Sequence, residues 1–287
     1  MIPSEAIPFV MRSMFMEGIF DTHAHYYDGR FDREVEGGAD AILGQIMPNP
    51  VSMILNVGTN PDTSRLAVEQ AARYEGMYAA VGIHPEDCHY ITDSEEALAQ
   101  IRGLLADPVT RRQRKILAIG EIGLDYHWQE YNGIPMDKKK QAFFFEAQLA
   151  MAEELGLPVI IHDREAHGDC FETVLRYPKV RGVFHSYSGS GDMARELTRR
   201  GWYISFSGTL TFKNANRVRE AALAVPRDRL LIETDAPYLA PHPHRGRINH
   251  SGLMVHTAEA LAELWQCSTS EAISTTRENG KKLFFGA

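Results

Sequence analysis

His23 and His25, one residue apart, follow Asp21 at the end of a short apolar run. Alternate residues of a β-strand face the same way, so both imidazoles of such a pair can reach one metal ion. HxH pairs also arise by chance on surfaces that bind nothing, and this one gains weight from its company. His84, Glu121, His162, His185 and Asp235 stand where later apolar runs end. Taken singly, each has an ordinary structural reading. A lone His162 or His185 is more often a hydrogen-bonded core histidine, Glu121 a buried partner for an arginine, and Asp235 the cap of an Asp-Ala-Pro turn. Together, His23, His25, Glu121, His162, His185 and Asp235 would each need a separate partner if buried without a metal. Four imidazoles and two carboxylates suit a pair of divalent ions, each ion taking two histidines while a carboxylate bridges them. Glu121 is the natural bridge, because its two oxygens can bind two ions at once. A histidine-rich donor set favours Zn²⁺ or Mn²⁺, whereas Mg²⁺ prefers oxygen and keeps its waters.

Such groups need a frame that brings distant segments together. Eight β-rich runs fall at 18–25, 51–59, 77–84, 116–125, 157–163, 182–187, 202–208 and 230–235. Segments with helical periodicity lie between them, including 63–74, 94–106, 137–155, 192–200 and 215–224. Asp93 or Ser94 is placed to cap the second of these, and Gly76 and Gly156 to end helices. Eight strands with helical crossovers close as a (β/α)₈ barrel or lie open as a doubly wound sheet. The strand count favours the barrel, and so does the placement of the candidate ligands, since a barrel gathers its strand C-termini at one mouth. No linker, repeat or low-complexity tract divides the chain. One domain is predicted over 18–287, closed by helical segments 257–265 and 270–284, with residues 1–17 as an N-terminal extension.

The 287 residues, 44% of them hydrophobic, suffice for a substantial core. A formal net charge of −8 argues against a protein that coats nucleic acid through bulk positive charge. It leaves room for a nucleic-acid enzyme, because bound divalent ions and a few arginines make one cleft locally positive. Cys88, Cys170 and Cys267 form no CxxC motif and point to a reducing compartment. Residues 7–20 are interrupted by Arg12 and Glu17 and lack a cleavage site, so they do not read as a signal peptide. No run reaches the length of a membrane span. A cytoplasmic monomer is expected.

The segments Asp21-Thr-His-Ala-His25, Gly82-Ile-His-Pro85, Gly120-Glu-Ile-Gly-Leu-Asp125, Ile161-His-Asp-Arg164, Phe184-His-Ser-Tyr-Ser-Gly189 and Glu233-Thr-Asp-Ala-Pro-Tyr-Leu239 resemble, in order, the signature blocks of TatD-type metal-dependent hydrolases. The resemblance spans about residues 18 to 285. It implies a (β/α)₈ barrel with two divalent cations (Zn²⁺, Mn²⁺ or Mg²⁺) and deoxyribonuclease activity on phosphodiesters. By position, His23, His25, Glu121 and Asp235 would hold the first ion, and Glu121, His162 and His185 the second. His84 matches a residue near the scissile phosphate, and Arg164 lies in the matching His-x-Arg block. Some relatives remove D-amino acids from tRNA.

One block departs from the pattern. Where the family carries a loop resembling Arg-Gly-Lys-Arg-Asn-Glu-Pro, this chain reads Arg245-Gly-Arg-Ile-Asn-His-Ser251. Arg245 and Asn249 match and Arg247 keeps its charge, which makes these three candidate substrate-binding residues at the rim.

Two cations suit phosphodiester attack because they stabilise charge on the equatorial and leaving oxygens. Asp235 is the candidate to orient the attacking water and accept its proton, with Glu121 holding both ions. His84 and Arg164 would hold the phosphate. His89, His127 and His167 fall in expected loops, and His242-Pro-His244 reads as a loop because of its prolines. Tyr126, Tyr187 and Tyr238 are candidates to stack on bases or to serve as structural aromatics. Three readings compete: a two-metal nuclease acting on DNA ends or short single strands, an amidohydrolase or D-aminoacyl-tRNA deacylase, and a non-catalytic binding protein. Amidohydrolases of this fold often bridge their metals with a carboxylated lysine after the fourth strand. Lys115, the nearest lysine, precedes that strand and should point to the opposite end. An intact ligand set speaks against the third reading.

Overall fold

A computed structural model describes residues 18–286 apart from Asn132. The expected extension over 1–17 lies outside the described residues. Eight strands form one parallel sheet: β1 (Ile19–Ala24), β2 (Val51–Val57), β3 (Met77–Val81), β4 (Ile116–Asp125), β5 (Val159–Arg164), β6 (Gly182–Phe184), β7 (Tyr203–Phe206) and β8 (Leu230–Ile232), hydrogen-bonded in that order. The ends meet where Ala24 bridges Ala236: His25 N–H donates to the Ala236 carbonyl at 2.7 Å, and Asp235 N–H to the His23 carbonyl at 2.9 Å. The expected (β/α)₈ barrel is therefore present.

Helices cover the outside: α1 (Arg30–Glu34), α2 (Gly38–Ile46), α3 (Pro61–Arg73), α4 (Ser94–Leu104), α5 (Pro108–Gln113), α6 (Lys138–Leu155), α7 (His167–Leu175), α8 (Gly191–Arg199), α9 (Asn216–Ala224), α10 (Met254–Trp265) and α11 (Thr269–Phe285). Local chemistry sets several ends. Asn60 and Thr63 form a reciprocal capping box with Pro61 at the first helical position of α3. Asp93 caps α4 through Glu96 N–H, and Gly156, at φ +63°, closes α6 in the left-handed conformation. Gly76 lies beyond the end of its helix, which stops at Arg73. His167 opens α7, so the loop expected there is a helix start.

Every strand alternates between two apolar layers. Phe20, Leu55, Ala80, Ala118, Ile160, Val183, Tyr203 and Leu231, one from each strand, fill the lumen with Phe284. Ile54, Val81, Ile119, Ile161, Phe184, Ile204 and Ile232 face the helices. Phe284 and Phe285, at the end of α11, pack on Phe20, while Phe285 also meets Tyr78. At the same end Lys115 donates to the Ala71 and Tyr74 carbonyls at 3.1 and 2.8 Å, covering the C-terminus of α3. The opposite mouth is left for polar groups.

Candidate metal centre

Three strands leave the ladder earlier than their apolar runs suggest, and chemistry begins where they do. β3 ends at Val81, β6 at Phe184 and β8 at Ile232, so His84, His185 and Asp235 stand on backbone just past the sheet. Asp235 has φ +57° and Ser186 +40°, left-handed conformations that turn the chain sharply at the mouth. β4 continues, but its pairing with β5 slips between Ile119 and Ile122, a bulge that re-aims Glu121. The following Gly123 has φ +145°, and a Cβ there would sit 2.0 Å from the His162 carbonyl oxygen, so only glycine fits.

Glu121 is the hub. Its Oε2 lies 3.2 Å from His23 Nε2 and 3.6 Å from His25 Nε2, which are 3.1 Å apart. Asp235 Oδ1 adjoins the same pair, 3.7 and 3.4 Å away. Its Oε1 turns to the other side, 2.7 Å from both His162 Nδ1 and His185 Nε2 and 3.3 Å from His84 Nε2. Among the described residues three groups able to hold an ion emerge: His23 with His185 and Asp235, His23 with His25 and Glu121, and His84 with Glu121 and His162. All six expected ligands are thus brought together. His84, expected on substrate, stands within the cluster itself.

The far sides of these rings show how they are held. His25 Nδ1 is 2.7 Å from the Val57 carbonyl, His162 Nε2 is 2.9 Å from Asp125 Oδ2, and His185 Nδ1 is 3.2 Å from Glu233 Oε1. Those partners only accept, so each far nitrogen carries a hydrogen and the near nitrogen of the neutral ring aims a lone pair at Glu121 or Asp235. Lone pairs facing carboxylates at such distances require positive charge between them. Protons supply it when nothing else does. Burial lowers the His162 pKa, but hydrogen bonds to Asp125 and Glu121 outweigh it and raise the value to about 9. Burial likewise opposes charge on His185, yet Glu121 and Glu233 hold it well above the ordinary range. Glu121 is the mirror image: burial favours its neutral form, and the charges of His185, His84 and His23 hold it well below the usual carboxylate range. His23 is lowered by burial and by His185. A cage that gathers imidazoles around buried carboxylates, with His25, His162 and His185 tethered from behind, fits divalent cations.

The family model described as TatD related DNase matches residues 20–285. The chain belongs to the TatD-related DNase family. It is 40% identical over 269 residues to the uncharacterized metal-dependent hydrolase YabD of Bacillus subtilis (strain 168), covering 93% of this chain and 98% of that one. It is 34% identical to the uncharacterized metal-dependent hydrolase YcfH of Escherichia coli (strain K12), covering 93% and 95%. The crystal structure of YJJV, a TatD homolog from Escherichia coli K12, superposes with a TM-score of 0.82 at 28% identity, covering 93% of this chain and 98% of that one.

Around the centre of this TatD-family chain, the expected rim residues divide. Arg164, at the end of β5, lies over the Trp128 ring at 5.5 Å, and Arg245 over the Phe212 ring at 4.0 Å. Arg247 lies on the same loop as Arg245, where its backbone N–H donates to the His244 carbonyl at 3.1 Å. Asn249 is fully buried, and its amide donates to the Thr234 and Tyr238 carbonyls at 2.9 and 2.7 Å. It clamps the loop after β8 instead of facing the mouth. Tyr187 is buried with its hydroxyl on the Ser190 carbonyl, so it cannot stack on a base. Tyr126 bonds Asp169 beneath Lys138, and Tyr238 bonds Asp28 beneath Arg30.

Sequence reading passed over several supports. Asp125 and Glu233 sit inside the signature blocks, but spacing gives no sign that they hold histidines from behind. Asp21 is buried at the seam between first and last strands. It accepts from the Thr234 and Ser251 hydroxyls at 2.6 Å each, and from the His23 and Thr234 N–H groups. Burial raises its pKa to about 7 against these bonds. Trp128, beside His127 and under Arg164, gave no signal because it follows the last apolar run of its segment.

Proposed function

We propose that this chain is a two-metal hydrolase that cleaves phosphodiester bonds of DNA, acting on strand ends or short single strands. The observation that carries the reading is the division of labour at Glu121, whose two oxygens face separate nests of imidazole nitrogen. His23, His25, Glu121 and Asp235 would hold one ion, and Glu121, His162 and His185 the other, with His84 at the edge of the second nest. Bound there, two divalent ions would stabilise the negative charge that builds on the phosphoryl and leaving oxygens.

The chain's own residues do the rest. Asp235 is ionised, because hydrogen bonding from His25 and the neighbouring histidines outweigh the burial that would protonate it. Its side chain is 17% exposed against 4% for Glu121, so it is the carboxylate that meets water entering the mouth. It therefore orients the attacking water and accepts its proton. His84, 10% exposed in its side chain, and Arg164 meet the phosphate, with Arg245 and Arg247 along the rim. The three arginines give an acidic protein a local anion site.

The amidohydrolase alternative loses one route here. Lys115, the lysine just before β4, is tied to backbone carbonyls at the other end of the barrel and so is not placed to bridge metals. Cys88, Cys170 and Cys267 are all free thiols, which suits a reducing cytoplasm. Among the described residues no helix is long and apolar enough to cross a membrane. A monomer suffices, since every group in the centre comes from one chain.

The test is a parallel assay of labelled single-stranded DNA, duplex DNA, RNA and D-aminoacyl-tRNA, with Glu121→Gln as blank. Metal-dependent release of nucleotides from DNA ends, absent in the variant, is expected. Cleavage of the aminoacyl ester alone would replace the phosphodiester reading with the carboxyl-ester one.

A further inference from the structure

A second meeting of imidazoles lies outside that centre. His244, on the loop after β8, and His256, in the first turn of α10, bring their Nε2 atoms to 3.2 Å. The rings are tilted by 32° with centroids 5.1 Å apart. His256 Nδ1 is 3.1 Å from Glu259 Oε2, one turn further along the helix. That carboxylate only accepts, so Nδ1 carries the hydrogen and neutral His256 presents the Nε2 lone pair toward His244. A carboxylate behind an imidazole is the usual support of a metal-bound histidine.

The separation is also that of two ligands on one ion. Imidazole nitrogens about 2.0–2.1 Å from a tetrahedral cation stand about 3.3 Å apart. In the centre around Glu121, the corresponding pairs measure 3.1 Å for His23 with His25 and 3.3 Å for His162 with His185. A third imidazole stands within electrostatic reach. His250, on the same loop, has a buried Nδ1 with no hydrogen-bond partner, and burial with the nearby His244 holds its pKa down to about 4. It therefore stays neutral at pH 7 and adds no repelling charge.

We propose that His244 and His256, supported by Glu259, form a separate transition-metal site. Its donors are nitrogen, so it takes Zn²⁺, Ni²⁺ or Cu²⁺ and discriminates against Mg²⁺. Water or an anion completes the coordination. The His256 side chain is 23% exposed, so the ion enters from solvent. An ion held there fastens the loop carrying Arg245 and Arg247 to α10.

The test is a count of bound Zn²⁺ on metal-stripped full-length protein after equilibrium dialysis, compared with His244→Asn and His256→Asn. Each variant should bind one equivalent fewer than the parent, while neither changes the binding of Mg²⁺. Glu259→Gln keeps both imidazoles and should weaken the most labile equivalent by about 10- to 100-fold. Equal Zn²⁺ counts in parent and both histidine variants would mean the rings merely share a hydrogen bond, and the site would be rejected. Loss of more than one equivalent in either variant would also reject it, because the pair would then belong to the centre around Glu121.

Discussion

At the scale of single residues, Glu121 decides whether the centre works as a pair of sites. Glu121→Gln removes an oxygen from one nest and the charge from both, so metal affinity and activity should fall together. The loss should exceed the about 10- to 100-fold that an outer supporting residue costs. Asp235→Asn touches only one nest and should abolish turnover while the second ion is largely retained. Chelator competition and turnover on each variant separate the two roles, and small, equal effects would contradict them. The histidines also fix a direction with pH. His162 is raised to about 9 and His185 is raised well above the ordinary value, so below those values a metal must displace a proton from each. Affinity for Zn²⁺ should therefore rise from about pH 6 toward about 9, with proton release visible by calorimetry in buffers of different ionisation enthalpy; affinity flat with pH would show that no ring proton is displaced. The six candidate ligands were legible as a group because each sits in a short block of distinctive composition. Asp125 and Glu233 were not recognised as supports, because which nitrogen of a ring faces the cage, and what stands behind it, depends on three strands meeting in space.

At the scale of elements, the strand ends mark where sequence reading and structure part. The run at 230–235 reads as one strand, yet only Leu230–Ile232 pairs in the sheet, and 182–187 shrinks to Gly182–Phe184. The residues past these ladders, Glu233-Thr-Asp235 and His185-Ser-Tyr187, are largely buried at the mouth and follow the apolar runs without a break, so their position alone cannot show the turn at Asp235 or Ser186. The caps were more legible: Asp93 is a local signal, complete within one helical turn. Matching residues make the loop after β8 a candidate binding rim, yet Asn249 works inside it. Asn249→Ala leaves the Thr234 and Tyr238 carbonyls without their donor and should cost about 1–3 kcal/mol of stability. Denaturant unfolding measures this, and a change within a few tenths of a kcal/mol would remove the clamp role.

At the scale of the whole molecule, the alternation of eight apolar runs with helical segments identified the barrel, because one parallel sheet closed on itself accounts for both. Closure brings β1 and β8, more than two hundred residues apart, into the contact at Asp21 and Thr234 that aligns His23 with Asp235. A net charge of −8 leaves bound metals and the candidate rim cations as the chief attraction for a polyanion. Binding of single-stranded DNA should accordingly show the shallow salt dependence of about two to four phosphate contacts, near −0.7 per contact on logarithmic axes. A slope several times steeper would require a long basic track that the reading does not contain. The most direct measurement of the central claim is an anomalous difference map from crystals of the protein loaded with Mn²⁺. Two peaks flanking Glu121, one beside each carboxylate oxygen, are expected; a single peak, or none, with every ligand intact would contradict the two-metal centre.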